Sequence, residues 1–100
     1  MLRSVLTPEA AQELAEAVEW YDGRNPGLGL EFLGVVEQAM ARVLANPRQA
    51  QVWTAEPRYR RQVLRRFPYV LFYEIREHSV EFVAIAHTGR APGYWTDRTR

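Results

Sequence analysis

The chain has 100 residues and a net charge of +1, its 13 basic residues are all arginine, and it contains no cysteine. Without cysteine there can be no disulfide, thiolate metal site or cysteine nucleophile, and only two histidines argue against a structural zinc site. No apolar run approaches the roughly 18 residues of a membrane span and no signal peptide opens the chain, so we expect one cytoplasmic domain over residues 1–100 with no cofactor, no metal and no membrane partner.

A strand and a helix are predicted first. Leu2 to Leu6 is a short apolar segment with a β-branched centre. Thr7, Pro8 and Glu9 then begin a helix, because Thr is a preferred N-cap, Pro suits the first helical position and a carboxylate is favoured at the positive end of the helix dipole. The helix is expected to end near Asp22-Gly23, where Gly can adopt the left-handed conformation. Its apolar stripe is expected to face the core and consists of Ala10, Leu14, Ala17, Val18 and Tyr21. Its polar residues are expected to face away from the core and are Gln12, Glu13, Glu16 and Glu19.

A second helix is predicted from about Leu28 to Ala45, after a tight connection at residues 24–27. Asn46-Pro47 stops it, and the short connection makes the two helices an antiparallel hairpin. Gly34 is where we expect the second helix to approach the first closely. The broad apolar face of this helix consists of Phe32, Leu33, Val36, Ala39, Met40, Val43 and Leu44.

Three strands follow a loop over Arg48 to Pro57. Short turns at residues 65–68 and 77–79 separate runs rich in β-branched and aromatic residues, which predicts an antiparallel meander. The middle run is apolar apart from Glu74 and is therefore expected to lie centrally in a sheet. The three runs are Tyr59 to Leu64, Val70 to Ile75 and Val80 to His87.

The predicted order is β-α-α-β-β-β, an α+β two-layer sandwich whose antiparallel sheet is packed on one face by the helical hairpin. The first strand must join this sheet, at or near an edge, to pair its backbone. The tail from Thr88 to Arg100 is irregular, with one helical turn expected at Tyr94 to Arg98. No remaining element covers the opposite face of the sheet. One of Arg60 and Arg61 must point there, and a one-residue register shift would exchange them.

Charge is divided unevenly along the chain. Residues 1–50 carry four arginines against seven acidic residues, and residues 51–100 carry nine arginines against five. Arginine suits the recognition of phosphate and carboxylate groups, so the second half is where a binding function is expected. A solvated strand face explains the same clustering without any ligand.

A series of short motifs spans nearly the whole chain. They are Thr7-Pro8-Glu9-Ala10, Ala17-Val18-Glu19-Trp20-Tyr21, Asn46-Pro47, Tyr59-Arg60-Arg61, Arg65-Arg66-Phe67-Pro68-Tyr69, Phe72-Tyr73, Ala84-Ile85-Ala86-His87, Arg90, Pro92, Tyr94-Trp95 and Arg98. In this order and spacing they resemble the RelE/ParE superfamily of toxins from bacterial type II toxin–antitoxin systems. The resemblance implies the same fold as the one predicted from the residues.

The superfamily holds two activities. RelE-like members cleave mRNA in the ribosome without a metal, which requires clustered cations with an acid and a base. In such proteins an arginine follows the tyrosine at the start of the central strand, and here that position is Val70. The resemblance still gives a set of catalytic candidates: His87 as the base, Arg61 and Arg90 on the phosphate, and Tyr94. The alternative for His87 is a strand-end histidine hydrogen-bonded to a neighbour.

ParE-like members share the fold without the nuclease residues and inhibit DNA gyrase by binding it. Val70, the Arg-Arg-Phe-Pro-Tyr turn and the Tyr-Trp tail are similar to this branch, which we therefore favour. Trp95 is either an exposed contact or folds back to close the sheet. The candidates for binding the target or the antitoxin are Arg60, Arg61, Arg65, Arg66, Arg90, Tyr94, Trp95 and Arg98.

Both branches imply a small antitoxin as partner. The resemblance predicts that it wraps the toxin with a helical C-terminal segment, and the arginines of the second half predict that this segment is acidic. The toxin's target is expected to be DNA gyrase or, alternatively, the ribosome with its mRNA. A third possibility is that the chain has no target and is an inactive relative retained as an antitoxin-binding module. Without a helix-turn-helix, sequence-specific DNA binding by this chain alone is not expected.

Overall fold

The structure, a computed structural model, describes residues 2–99 and contains two helices packed on a five-stranded sheet. The helices are α1 (Pro8–Arg24) and α2 (Leu28–Ala45), and a short 3-10 helix, Thr96–Thr99, lies in the tail. The strands run in the order β1-β5-β4-β3-β2 across the sheet. Their bounds are Arg3–Leu6 for β1, Gln51–Val52 for β2, Tyr59–Val63 for β3, Tyr69–Ile75 for β4 and Ser79–His87 for β5.

The predicted meander of β3, β4 and β5 is confirmed, with antiparallel pairing throughout. The sheet as a whole is mixed, because β1 pairs in parallel with β5, placing Ser4 opposite Val80. The expectation of a purely antiparallel sheet was therefore wrong. No hairpin turn ties β1 to its neighbour, since both helices intervene, and its direction was not constrained by local sequence. The two-residue strand β2 lies inside the predicted loop and is too short to give a periodic signal.

The start of α1 follows the predicted capping chemistry. The Thr7 side chain accepts a hydrogen bond from the backbone N–H of Ala10 at 3.1 Å, and Pro8 is the first helical residue. The helix continues past Gly23 to Arg24, and its C-cap residue, Asn25, is extended. The predicted left-handed end at Gly23 was wrong; the left-handed glycine is Gly27, with φ 93°, immediately before α2.

Close approach of the two helices takes place at Gly29. A Cβ atom at this position would lie 2.5 Å from the backbone oxygen of Val18, whereas a Cβ at Gly34 would meet nothing within 4 Å. The prediction that Gly34 permits the approach was wrong, because the rotation of α2 about its axis decides which glycine faces α1.

Two cores lie on opposite faces of the sheet. The first lies between the helices and the sheet and buries Phe32, Val36, Leu71 and Phe82, among others. The second lies on the face that was predicted to be uncovered. There the tail folds back and places Trp95 against the strands with 1% of its surface exposed. Of the two alternatives for Trp95, the structure shows the folded-back one. The members of the second core are Tyr59, Val70, Phe72, Val83, Ala84, Ala86 and Trp95, with Trp53 and Tyr94 packed against them.

Candidate functional site

Glu13, on α1, is the centre of a hydrogen-bonded cluster that ties the tail to the body of the fold. Its carboxylate accepts bonds from the backbone N–H of Ile85 at 2.9 Å and from the Arg98 guanidinium at 2.9 and 3.1 Å. It also accepts a bond from the Tyr94 hydroxyl and lies 3.5 Å from the Arg90 guanidinium. Only 11% of the Glu13 side chain is exposed, so its predicted position on the solvent face of α1 was wrong. We call Glu13, Arg90, Tyr94 and Arg98 the Glu13 cluster.

The contacts of the cluster raise the pKa of two of its members, Tyr94 and Arg98. Burial, together with the hydrogen bond to Glu13, raises the pKa of Tyr94 to about 12. The hydrogen bond to Glu13 also raises the pKa of Arg98. The Arg90 guanidinium lies 3.6 Å from the centre of the Tyr94 ring, a cation–π contact. Three of the predicted binding residues, Arg90, Tyr94 and Arg98, therefore each contact Glu13, and Tyr94 stays neutral near pH 7.

A cleft of about 280 Å³ lies beside this cluster on the second face of the sheet. Arg61, His87, Arg90 and Tyr94, the four residues proposed for nuclease chemistry, all line it. The aromatic part of its lining comes from Trp53, Phe72 and Trp95. We call this the Arg61 cleft.

The strand register assigns Arg60 and Arg61 to opposite faces. Arg61 lines the cleft, and Tyr59, two residues earlier, is buried in the second core on the same face of the sheet. Arg60 faces the helix side and donates hydrogen bonds to the backbone oxygens of Arg48 at 3.0 Å and Ala50 at 2.8 Å. Arg60 therefore holds the loop before β2, and Arg61 is the arginine on the Trp95 face.

His87 lies at the end of β5 and is exposed. Its Nδ1 atom accepts a hydrogen bond from the backbone N–H of Gly89 at 2.9 Å, and its ring packs edge-on against Tyr69 with 5.2 Å between centroids. The alternative of a strand-end histidine bonded to a neighbour is therefore what the structure shows. This bond occupies the Nδ1 lone pair of His87.

The turn between β3 and β4 presents Arg65 and Arg66 at the surface. Arg66 has φ 70° and its guanidinium forms an ion pair with Glu31 of α2 at 3.0 Å, with 57% of the side chain exposed. Val63, the last residue of β3, is 53% exposed beside them. These two arginines are thus apart from the Glu13 cluster and are presented to solvent.

A second concave surface runs along the helical hairpin beside β1. It has a volume of about 860 Å³ and an apolar lining that includes Leu6, Leu14, Val18 and Leu33, and 72% of the Leu30 surface is exposed at its side. The charged residues on its rim are acidic, Glu19 and Asp22. This groove suits an apolar helix face better than an acidic one.

Within residues 2–99, no group of three or more His, Asp or Glu side chains is placed to hold a metal ion. Over the same residues, no helix combines the length and the apolar character needed to cross a membrane.

Comparisons with known proteins agree with this architecture. The family model for the ParE toxin of the type II toxin–antitoxin system parDE matches residues 5–92, which include both helices and β2 to β5. Among solved structures, the chain is similar to one from the chromosomal ParDE TA system of P. aeruginosa, with a TM-score of 0.77 and 18% identity, covering 87% of this chain and 96% of that one. At that identity the likeness shows a shared fold alone. No curated protein sequence gives a significant match.

Proposed function

Because this chain belongs to the ParE toxin family of type II toxin–antitoxin systems, we propose that it arrests growth by binding DNA gyrase in the cytoplasm. A toxin of this kind disables its target through contact and needs no covalent chemistry. The proposal extends the family membership to a particular target, which the resemblance to ParE-like proteins suggests.

The state of the Glu13 cluster is the observation that carries this proposal. A ribonuclease needs a base for the 2′-hydroxyl, an acid for the leaving oxygen and cations on the phosphate. Here Tyr94 donates to Glu13, both Arg90 and Arg98 are paired with the same carboxylate, and the Nδ1 atom of His87 already accepts a bond. Val70, at the position of the nuclease arginine, is buried in the second core. These contacts support binding in preference to catalysis.

The turn with Arg65 and Arg66, together with Val63, is the surface we propose for the target. It combines solvent-facing guanidinium groups with an exposed apolar side chain, a combination common in binding hot spots. Replacing both arginines by alanine is expected to weaken gyrase inhibition at least tenfold. Arg3→Ala, at the far edge of the sheet, is the matched control and should leave inhibition unchanged.

The deciding experiment uses the purified chain without any partner. It is expected to block supercoiling by gyrase and to leave ribosome-bound mRNA intact. His87→Ala should keep full toxicity, as should His78→Ala, a control at an exposed turn. Position-specific mRNA cuts that disappear in His87→Ala, with gyrase unaffected, would instead establish the endoribonuclease function. Absence of growth arrest would identify an inactive relative that only binds its antitoxin.

We also propose that a cognate antitoxin neutralises the chain by covering two surfaces. The groove beside the hairpin would take an amphipathic helix of the antitoxin, with a basic rather than an acidic flank because Glu19 and Asp22 lie on its rim. An acidic part of the same partner would contact the arginine-rich second half. Co-expression with the reading frame next to the gene should restore growth, and Leu30→Asp should prevent that rescue while leaving toxicity in place.

A further inference from the structure

Arg61 differs from Arg60, Arg90 and Arg98 in its hydrogen bonding. Its Nε atom is buried, and among residues 2–99 it has no hydrogen-bond partner. By contrast, Arg60 donates to two backbone oxygens, and Arg90 and Arg98 pair with Glu13. Buried polar groups in folded proteins are nearly always satisfied, so a buried donor left without an acceptor needs an explanation.

The surroundings of Arg61 make an anion the natural acceptor. The Trp53, Phe72 and Trp95 rings form an apolar lining and lie within 4.5 to 5.4 Å of one another, centroid to centroid. Such a lining lowers the local dielectric and strengthens a charge-assisted hydrogen bond to the guanidinium. A guanidinium also binds a planar carboxylate through two parallel hydrogen bonds.

Val63 extends this site along the strand. Successive side chains of a strand alternate between faces, so Arg61 and Val63 lie on the same face roughly 6.6–6.8 Å apart. Val63 is 53% exposed, although the other residues of its strand are partly or fully buried. A segment extended over this face of the sheet in the direction of β3 would place its own residues at the same spacing.

We infer that the Arg61 cleft binds the carboxylate of one acidic side chain from an extended segment of a protein partner, with an apolar side chain two positions away resting on Val63. The inference rests on the proposed function, in which the chain has a protein partner with an acidic segment. It adds the position at which the acidic side chain of the partner binds, the Arg61 cleft. It also adds that an apolar residue must lie two positions from that acidic residue in the partner.

The charge of the cleft favours a carboxylate over a phosphate of a nucleic acid. Arg61 has no acidic partner among residues 2–99, whereas the positive charge of Arg90, the other arginine lining the cleft, is partly neutralised by Glu13 at 3.5 Å. A single monovalent anion balances that arrangement. Nucleic acid binding usually depends on several unpaired cations that follow the backbone, which this cleft lacks within residues 2–99.

The test begins with small probes and the full chain. Three probes are titrated separately: phenylacetate, its neutral analogue phenylacetamide, and phenyl phosphate. Binding is followed by NMR through the indole N–H signals of Trp53 and Trp95. Phenylacetate is expected to shift both signals and to bind at least tenfold more tightly than phenylacetamide. Arg61→Gln should weaken phenylacetate binding at least tenfold, whereas Arg3→Gln, at the far edge of the sheet, should not change it. Both variants are checked for folding by thermal unfolding, and Arg61→Gln is expected to be as stable as the wild type, because it removes an unpaired buried donor.

A second measurement addresses the spacing. Two blocked heptapeptides of identical composition are compared, one with Asp and Leu two positions apart and one with them adjacent. The first is expected to bind several-fold more tightly, and Val63→Ser should abolish the difference between them.

The inference would be overturned by no binding of phenylacetate, by equal binding of phenylacetamide, or by unchanged phenylacetate binding to Arg61→Gln. Phenyl phosphate binding more than tenfold tighter than phenylacetate would overturn it in favour of a nucleic acid phosphate. Gyrase inhibition by the partner-free chain is measured separately, so failure of this inference and failure of the proposed target are distinguishable.

Discussion

Replacing Glu13 by alanine should release the tail from the body of the fold. The substitution removes the acceptor of the bonds from Ile85, Tyr94 and Arg98 and the ion pair with Arg90. Because Trp95 lies between Tyr94 and Arg98 in the chain, loss of these bonds should also loosen its packing on the second core. We expect the chain to remain folded, with a destabilised tail.

The size of the effect follows from burial. Removing one partner of a fully buried ion pair costs roughly 3–5 kcal/mol, and a hydrogen bond to a charged group contributes about 1.5–3 kcal/mol. The Arg98 side chain is 17% exposed and that of Arg90 is 54% exposed, so both can regain water after the loss of Glu13. We therefore expect a loss of about 2–4 kcal/mol in the free energy of unfolding. For a domain of this size that lowers the melting temperature by roughly 10 °C or more.

The free energy of unfolding is measured by urea denaturation, with tryptophan fluorescence as the signal. Limited trypsin digestion measures how accessible the tail is to protease. Cleavage after Arg90 and Arg98 should accelerate strongly in Glu13→Ala. Glu19→Ala, on the exposed face of the same helix, is the matched control and should change the free energy by less than about 0.5 kcal/mol. If Glu13→Ala were as stable as this control and equally resistant to trypsin, the reasoning that the cluster holds the tail would be refuted.

Three further predictions concern the cores and the cluster. Gly29→Ala should destabilise by roughly 1–3 kcal/mol because its Cβ would overlap the Val18 oxygen, whereas Gly34→Ala should be neutral or stabilise by up to about 1 kcal/mol; equal melting temperatures would contradict this. Trp95→Ala should cost about 3–5 kcal/mol in urea denaturation, since 1% of the residue is exposed, and a loss below about 1 kcal/mol would show that the tail is not part of the core. The raised pKa of Tyr94, about 12, means that its contribution to stability is complete below the pKa of unfolded tyrosine near 10 and is lost as the pH rises through about 12. The difference in stability between wild type and Tyr94→Phe should therefore shrink over that window, and a constant difference would argue against the bond to Glu13.

The elements of this fold were largely predictable because most of them carry a local signal. Helix α2 has the predicted bounds, Leu28–Ala45, since both its apolar period and its terminating Asn46-Pro47 can be read in the sequence. The meander is marked by turns between apolar runs in the same way. The direction of β1 has no such local marker, because its partner β5 lies more than 70 residues away in the chain. Two residues of β2 are likewise too few to show alternation.

The second face of the sheet was predicted to be bare because the sequence has no further helix or strand to cover it. Irregular segments cover it instead, through Trp53 from the loop before β3 and Trp95 from the tail. The aromatic residues were visible in the sequence and the folded-back position of Trp95 was one of two alternatives. What decided between them was Glu13, 85 residues from Arg98, whose carboxylate draws the tail across the end of β5.

The arginines of the second half look alike in the sequence, and pairing in three dimensions gives them different roles. Arg98 is a structural residue because it pairs with Glu13, and Arg60 is a structural residue because it donates to backbone oxygens. Arg61 has a buried donor and no acceptor for it among residues 2–99. A charge left unpaired in an apolar cleft lowers the stability of the isolated chain. It also raises the affinity for any partner that brings the missing anion, since that partner restores a bond the chain cannot make alone. Arg61, whose buried donor lacks an acceptor among residues 2–99, is therefore the residue at which we expect binding to be most sensitive to substitution.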